Sequence, residues 1–252
     1  MDTEKLLVSL FLDIKNKGWI ATKRHGDQCL GNAFEDLIGK AEDNKSQADF
    51  YDIELKSHRE ITSSLLSLFS KSPSSPKGVN TYLRETYGVD NADGFPKKVL
   101  NTTVSGKQFN THRGGHNFKI DVDRENRKLW LLVKNSETGV LLEGPNVGNK
   151  VYWDFNVLEK ALENKLHKIA ILYGEEKDEN GIHYVKYNKM IILEGLTLEK
   201  MLSAIESGDL FIDIRIGVYA SGKNIGKTHD HGTGFRIILD KLLTYGIVKE
   251  YK

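Results

Sequence analysis

Glu54 and Lys56 are two residues apart in a stretch, from Phe50 onward, whose alternating apolar residues predict a strand. Side chains two positions apart on a strand leave it on the same face. A carboxylate beside an ammonium on a rigid strand is equipment for phosphodiester hydrolysis. The carboxylate oxygens suit a hard divalent cation, and the lysine suits holding or helping to deprotonate an attacking water. The spacing alone proves little, because a Glu and a Lys two apart are more often an ion pair on a half-buried surface. Strict alternation adds Asp52 to that face and leaves Asp49 off it unless the chain bends or bulges before the strand. Upstream, the helical spacing of Phe34, Leu37, Ile38 and Ala41 places Glu35 on the flank of an apolar face and Asp36 nearly opposite. Glu35 can therefore look into a site while Asp36 looks at solvent.

Those residues need elements to hold them. Apolar residues recur at helical spacing in Glu4 to Lys15, Asn32 to Ala41, Ile61 to Phe69, Val157 to Leu166, Thr197 to Ile205 and Phe235 to Tyr245. Strand patterns run through Phe50 to Leu55, Leu129 to Val133, Ile169 to Tyr173, Tyr184 to Leu193 and Phe211 to Tyr219. The chain is thus of mixed α and β class. The clearest breaks, Ser72 to Pro76 and Asn146 to Asn149, are short enough to be loops, and no internal repeat or low-complexity tail is visible.

With 252 residues, 39% hydrophobic and 28% charged, the composition is that of an ordinary globular protein, large enough for one domain or two lobes. The apolar run from Leu6 to Leu12 is too short for a membrane span and is not followed by a cleavage pattern, which predicts a cytoplasmic protein with no membrane partner. The single cysteine, Cys29, has no partner for an internal disulfide and cannot build a zinc site alone. A net charge of +1 says nothing about an acidic partner, so any nucleic-acid signal must be local.

Two segments carry such a signal. Ser105 to Lys119 holds Lys107, His112, Arg113, His116 and Lys119 with no acid; Arg215 to Arg236 holds Lys223 and Lys227 with Asp230 as its only acid. Both are rich in Gly, Ser, Thr and Asn, which hydrogen-bond phosphates and let the backbone approach them. Solvated loops would look much the same.

The spacing of Asp49, Glu54 and Lys56 resembles the motif of the PD-(D/E)XK nucleases. FEDLIGKAEDN from Phe34, ADFYDIELKSH from Ala48, SLLSLFSKSPSSPKG from Ser64 and RIGVYASGKNIGKTHDHGTGFRI from Arg215 together resemble the MutH-like type II restriction endonucleases, the group of MvaI and BcnI. The likeness runs from about Gly18 to Val248, and one departure is that Ala48 stands where the superfamily motif has proline. The resemblance implies a MutH-like α/β (α+β) fold, one nuclease domain over 1–252 with two lobes around a DNA-binding cleft. Its catalytic motif would lie in 32–58 and its DNA-recognition region in 211–240. It implies that Asp49 and Glu54 bind Mg²⁺, with Mn²⁺ able to substitute, that Lys56 serves the water, and that Glu35 completes the acidic cluster. Alternation favours Asp52 and the resemblance Asp49; Asp49 is taken on the specificity of the resemblance, with Asp52 as the runner-up. Arg215 and Arg236 are then candidates for bidentate contacts to guanine. Asp213 could accept from a cytosine amino group or simply orient Arg215. His229 and His231 suit base or phosphate contacts better than a zinc pair. Lys223 and Lys227 suit phosphates, as do Lys71, Lys107 and Lys119. The resemblance further implies a monomer acting on double-stranded DNA, cutting one strand at a time at a CC, one base pair, GG type of site, with a cognate methyltransferase protecting the host. Two rivals are a MutH-type mismatch-repair nicking enzyme and a DNA-binding protein that has lost its chemistry.

Overall fold

The computed structural model describes residues 2–39, 48–59, 65–90 and 97–252. The elements run in chain order as α1 (Thr3–Asn16), β1 (Ile20–Thr22), α2 (Cys29–Leu37), β2 (Ile53–Arg59), β3 (Leu66–Ser70), α3 (Val79–Tyr87) and β4 (Val89–Asp90). Then come β5 (Lys98–Ser105), β6 (His116–Asp123), β7 (Lys128–Asn135), β8 (Leu141–Glu143), β9 (Tyr152–Asp154) and α4 (Phe155–Lys165). The chain closes with β10 (Lys168–Glu179), β11 (Ile182–Glu194), α5 (Leu198–Ser207), β12 (Leu210–Val218), β13 (Thr228–Asp230), β14 (Gly234–Ile237), α6 (Leu239–Leu242), a 3₁₀ turn (Leu243–Tyr245) and β15 (Ile247–Tyr251).

These elements form two compact units. The first is Met1–Leu66, Ala161–Leu196 and Leu239–Lys252; the second is Ser67–Lys160 and Thr197–Ile238. In the first, one sheet runs in the order β1, β11, β10, β2, with β15 also paired to β11. The β10 and β11 strands form a long antiparallel hairpin, whereas β2 joins β10 in parallel, with Glu54 beside Ile169 and Lys56 beside Ile171. The core under this sheet packs Leu7, Phe11 and Ile14 of α1 and Leu30, Ala33 and Phe34 of α2 against Ile53, Leu55, Ala170, Leu172 and Ile192. Burial of this apolar surface is what fixes α2 on the sheet. The approach is close because Gly31 and Gly174 have no side chains: a Cβ on Gly31 would lie 3.2 Å from Ser57 Oγ, and one on Gly174 only 3.0 Å from a Leu30 methyl. Tyr187 donates its hydroxyl to Leu30 O at 2.7 Å and pins the same helix.

In the second unit one sheet has the order β3, β14, β12, β5, β4, with β13 also on β12, and another has β6, β7, β8, with β9 on β7. Two predicted helices are corrected here. The described part of the segment predicted as a helix over Ile61 to Phe69 is strand β3, with Leu66 and Leu68 buried and Ser67 exposed; residues 61–64 lie outside the described residues. Its short apolar run fits either period, and pairing with β14 decides it. The helix predicted over Phe235 to Tyr245 begins only at Leu239, because residues 234–237 pair antiparallel with β12 and the Phe235 ring stacks on Phe69 at 4.6 Å. The helix predicted over Asn32 to Ala41 starts earlier, at Cys29, and gives way at Ile38 to Gly39, whose φ of +74° favours glycine after a helix end. Ala41 lies outside the described residues.

Candidate active site and nucleic-acid interface

The strand predicted to begin at Phe50 begins instead at Ile53, and the difference decides where the carboxylates go. Phe50 and Ile53 exchange two backbone hydrogen bonds of 2.8 Å, so residues 50–53 close a tight turn with Tyr51 at φ +55°. Asp52 sits at the exposed tip of this turn, off the strand on which alternation was counted. Asp49 is folded back along the strand instead, and its Oδ2 accepts from Leu55 N at 3.1 Å. The bend that Asp49 needs is therefore present.

Glu54 is buried, with 2% of its surface exposed. Its Oε1 accepts from Lys56 Nζ at 2.7 Å, and Lys165 Nζ at the end of α4 stands 3.9 Å from the same oxygen. Its Oε2 is buried and has no hydrogen-bond partner among the described residues. Burial raises the Glu54 pKa above the ordinary carboxylate range; Lys56 opposes the rise, and the charge of Asp49 adds to it. A buried anionic oxygen with nothing to accept from is costly unless a cation faces it. Asp49 and Glu54 thus fit a hard divalent ion through oxygen donors.

Asp36 is exposed and paired with Arg24 at 2.8 Å, and Glu35 is half-buried, as the helical spacing anticipates. The Leu55 and Ser57 face of β2 is covered by α2, while Glu54 and Lys56 leave on the other face. Glu35 is on the covering helix, and Asp49 lies along β2, an edge strand of its sheet. Two residues were not anticipated. Lys165 gives no signal among the many charges of its helix. His58 continues the Glu54 and Lys56 face, a signal that alternation offered; both of its ring nitrogens are buried without a hydrogen-bond partner among the described residues.

In the second unit, Asp213 and Arg215 share one face of β12, and Arg236 enters from β14. Asp213 is 5% exposed. Its Oδ2 accepts from Arg215 Nε at 2.8 Å and from an Arg236 terminal nitrogen at 2.9 Å, and its Oδ1 accepts from the Thr103 hydroxyl at 3.0 Å. With both oxygens engaged, Asp213 holds the two arginines together. The Arg215 side chain remains 55% exposed.

His229 stacks on Tyr219 at 4.1 Å and touches the His231 ring at 4.0 Å, and the donors for a zinc site at this pair are not assembled among the described residues. Asp230 accepts from Ser72 Oγ, from Asn80 Nδ2 at 2.6 Å and from Gly232 N at 2.8 Å, tying the histidine segment to the loop that carries exposed Lys71. Lys223 and Lys227 are exposed on the loop joining β12 to β13. Lys107 and Lys119 are not gathered with them. Lys107 lies against Gly208 after α5, and Lys119 is half-buried on β6 in the other sheet.

One unit holds a strand-borne carboxylate and lysine and the other holds two arginines on one aspartate, and the class of the protein is that of the site-specific DNA nucleases. The family model of the MvaI/BcnI restriction endonuclease family matches residues 8–244, and the chain belongs to that family. It is similar to the solved complex of restriction endonuclease MvaI with its cognate DNA substrate, at 42% identity over 99% of this chain and 98% of that one, with a TM-score of 0.87. It is also similar to restriction endonuclease MvaI in the absence of DNA, at the same identity and coverage, with a TM-score of 0.67. A search of curated proteins gives no match. The mixed α+β fold expected from the sequence is the fold found. Among the described residues, no helix is long and apolar enough to cross a membrane.

Proposed function

We propose that this restriction endonuclease hydrolyses both strands of DNA, one at a time and as a monomer, at a short pseudopalindromic CC, one base pair, GG type of site, with Mg²⁺ as cofactor. The observation that carries the reading is the partnerless buried Oε2 of Glu54 beside Asp49 and Lys56. Glu54 and Asp49 would hold the cation, with Glu35 completing the acidic group. When bound, Mg²⁺ or Mn²⁺ supplies positive charge against the phosphate and lowers the pKa of water. Lys56 keeps two N–H donors beyond the one given to Glu54, enough to position the attacking water and to meet a phosphate oxygen. Lys165 adds positive charge on the same side. Arg215 and Arg236, fixed by Asp213, read guanine edges, and His229 and His231 contact bases or phosphates alongside them. Lys71, Lys223 and Lys227 hold the backbone, and Lys107 and Lys119 serve it farther off. A cognate methyltransferase that protects the host DNA, and a cytoplasmic setting, complete the proposal.

Incubating the protein with supercoiled plasmid and Mg²⁺ tests the reading. Nicked circles should precede discrete linear fragments, and sequenced ends should share the five-base-pair pattern. Cleavage that survives Glu54→Gln would refute the site, and random ends would refute the specificity.

A further inference from the structure

At the end of the first unit's sheet farthest from Glu54, three kinds of donor converge. Cys29, the single cysteine of the chain, opens α2; Glu176 is on β10 and His183 near the start of β11. One ligand atom from each lies within 4.8 Å of the other two. Glu54 is paired with Ile169, and from Ile169 to Glu176 the strand covers roughly 23 Å at about 3.3 Å per residue, so the two groups are separate. Cys29 is fully buried, and the side chains of Glu176 and His183 are 13% and 9% exposed.

Sulfur, imidazole and carboxylate together suit a borderline cation of the Zn²⁺ class and not Mg²⁺, which prefers oxygen alone. His183 is held as a ligating histidine is commonly held: Nδ1 is 2.8 Å from Asp178 Oδ1, which leaves Nε2 aimed at Glu176, 3.2 Å away. Charge favours a cation as well. Glu176 and Asp27 flank one guanidinium, that of Arg59, at 2.9 and 3.6 Å, and Asp178 adds a third carboxylate through its contact with His183. His25 is exposed with its ring 4.9 Å from that of His183, within a side-chain swing of the group.

We propose that Cys29, Glu176 and His183 bind one Zn²⁺-class cation, with His25 supplying a fourth ligand, at a site separate from the nuclease centre. Such an ion ties the start of α2 to the β10 and β11 hairpin and so stiffens the helix that carries Glu35. Its role is structural.

The test is a Co²⁺ titration of the metal-free full-length protein with excess Mg²⁺ present. Because Cys29 is the only thiol, a thiolate-to-cobalt charge-transfer band in the near ultraviolet reports this site alone. One Co²⁺ per chain should produce the band, and Cys29→Ser should abolish it. Asp178→Asn should weaken Zn²⁺ binding about 10 to 100-fold, as loss of a ligand's supporting carboxylate does. Absence of the band at one equivalent, or Zn²⁺ binding by Cys29→Ser as tight as that of the parent, would overturn the proposal. Should Cys29→Ser fail to fold, X-ray absorption on the zinc-loaded parent decides: a sulfur neighbour at about 2.3 Å supports the site, and a shell of oxygen and nitrogen only refutes it.

Discussion

Lys56→Ala and Glu54→Gln should both abolish cleavage, yet only Lys56→Ala should destabilise the metal-free protein. Glu54 is a buried anion whose main compensation is Lys56 at 2.7 Å, and the two side chains are 3% and 19% exposed. Removing one partner of a buried pair costs about 3–5 kcal/mol. Lys165, 3.9 Å from Glu54, keeps part of the compensation, so the lower end, about 3 kcal/mol, applies to Lys56→Ala. At about 2–4 °C per kcal/mol for a chain of this length, Tm should fall roughly 6–12 °C. Glu54→Gln instead keeps an acceptor for Lys56 and removes the desolvated charge, and should leave stability unchanged or raised by up to about 2 kcal/mol. The pH dependence follows from the raised Glu54 pKa. Between the ordinary carboxylate value and the raised one, the folded protein binds a proton that the unfolded chain does not, so this group's contribution falls as pH rises through that window and is constant above it. Without Lys56 the window extends upward, and the Lys56→Ala deficit should shrink as pH is lowered through it. Thermal unfolding in EDTA at several pH values reads all three quantities. A Lys56→Ala protein within about 1 kcal/mol of the parent at neutral pH, or a Glu54→Gln protein destabilised as much as Lys56→Ala, would show that the pair is not the buried unit described.

Asp49→Asn should stop cleavage with DNA binding retained, and Asp52→Asn should cut nearly as well as the parent, because Asp52 is at the exposed tip of its turn; plasmid digestion and gel-shift titration compare them. Arg215→Ala or Arg236→Ala should cost about 1–3 kcal/mol of discrimination at one base pair, measured in Ca²⁺ on duplexes with single changes. Lys223→Ala or Lys227→Ala should weaken binding to all sequences alike and lower the slope of log affinity against log salt by about one. Asp213→Asn should relax preference at the base pairs of both arginines at once, since its Oδ2 accepts from both; a loss confined to one base pair would mean that Asp213 itself reads a base.

The sequence reveals the long helices and strands of the first unit because their apolar residues repeat over enough positions to separate the two periods. Short segments fail for the complementary reason. LSLFS and GFRI are five and four residues long, and nothing local distinguishes a strand there from a turn of helix. Their state is set by pairing between segments that the sequence holds far apart. The same limit hides Lys165, which comes near Glu54 only because α4 leads into β10, the strand beside β2.

Asp49 and Asp52 show how a correct rule misplaces a side chain when it is counted outside its element. Alternation holds within β2, where Glu54 and Lys56 share a face, but it was counted back through residues that are not strand. A left-handed backbone at Tyr51, a bulky aromatic, has no signature as strong as glycine would give, so the turn is not announced. Once the turn is in place, the parity count stops at Ile53 and the two aspartates exchange prospects. Asp49 gains a backbone N–H from Leu55 and a place where its charge is felt by Glu54, and Asp52 gains only solvent. The stretch that resembles the PD-(D/E)XK motif therefore encodes a turn as well as carboxylates, and the conformation of the residues between Asp49 and Glu54 decides which aspartate lies beside the strand.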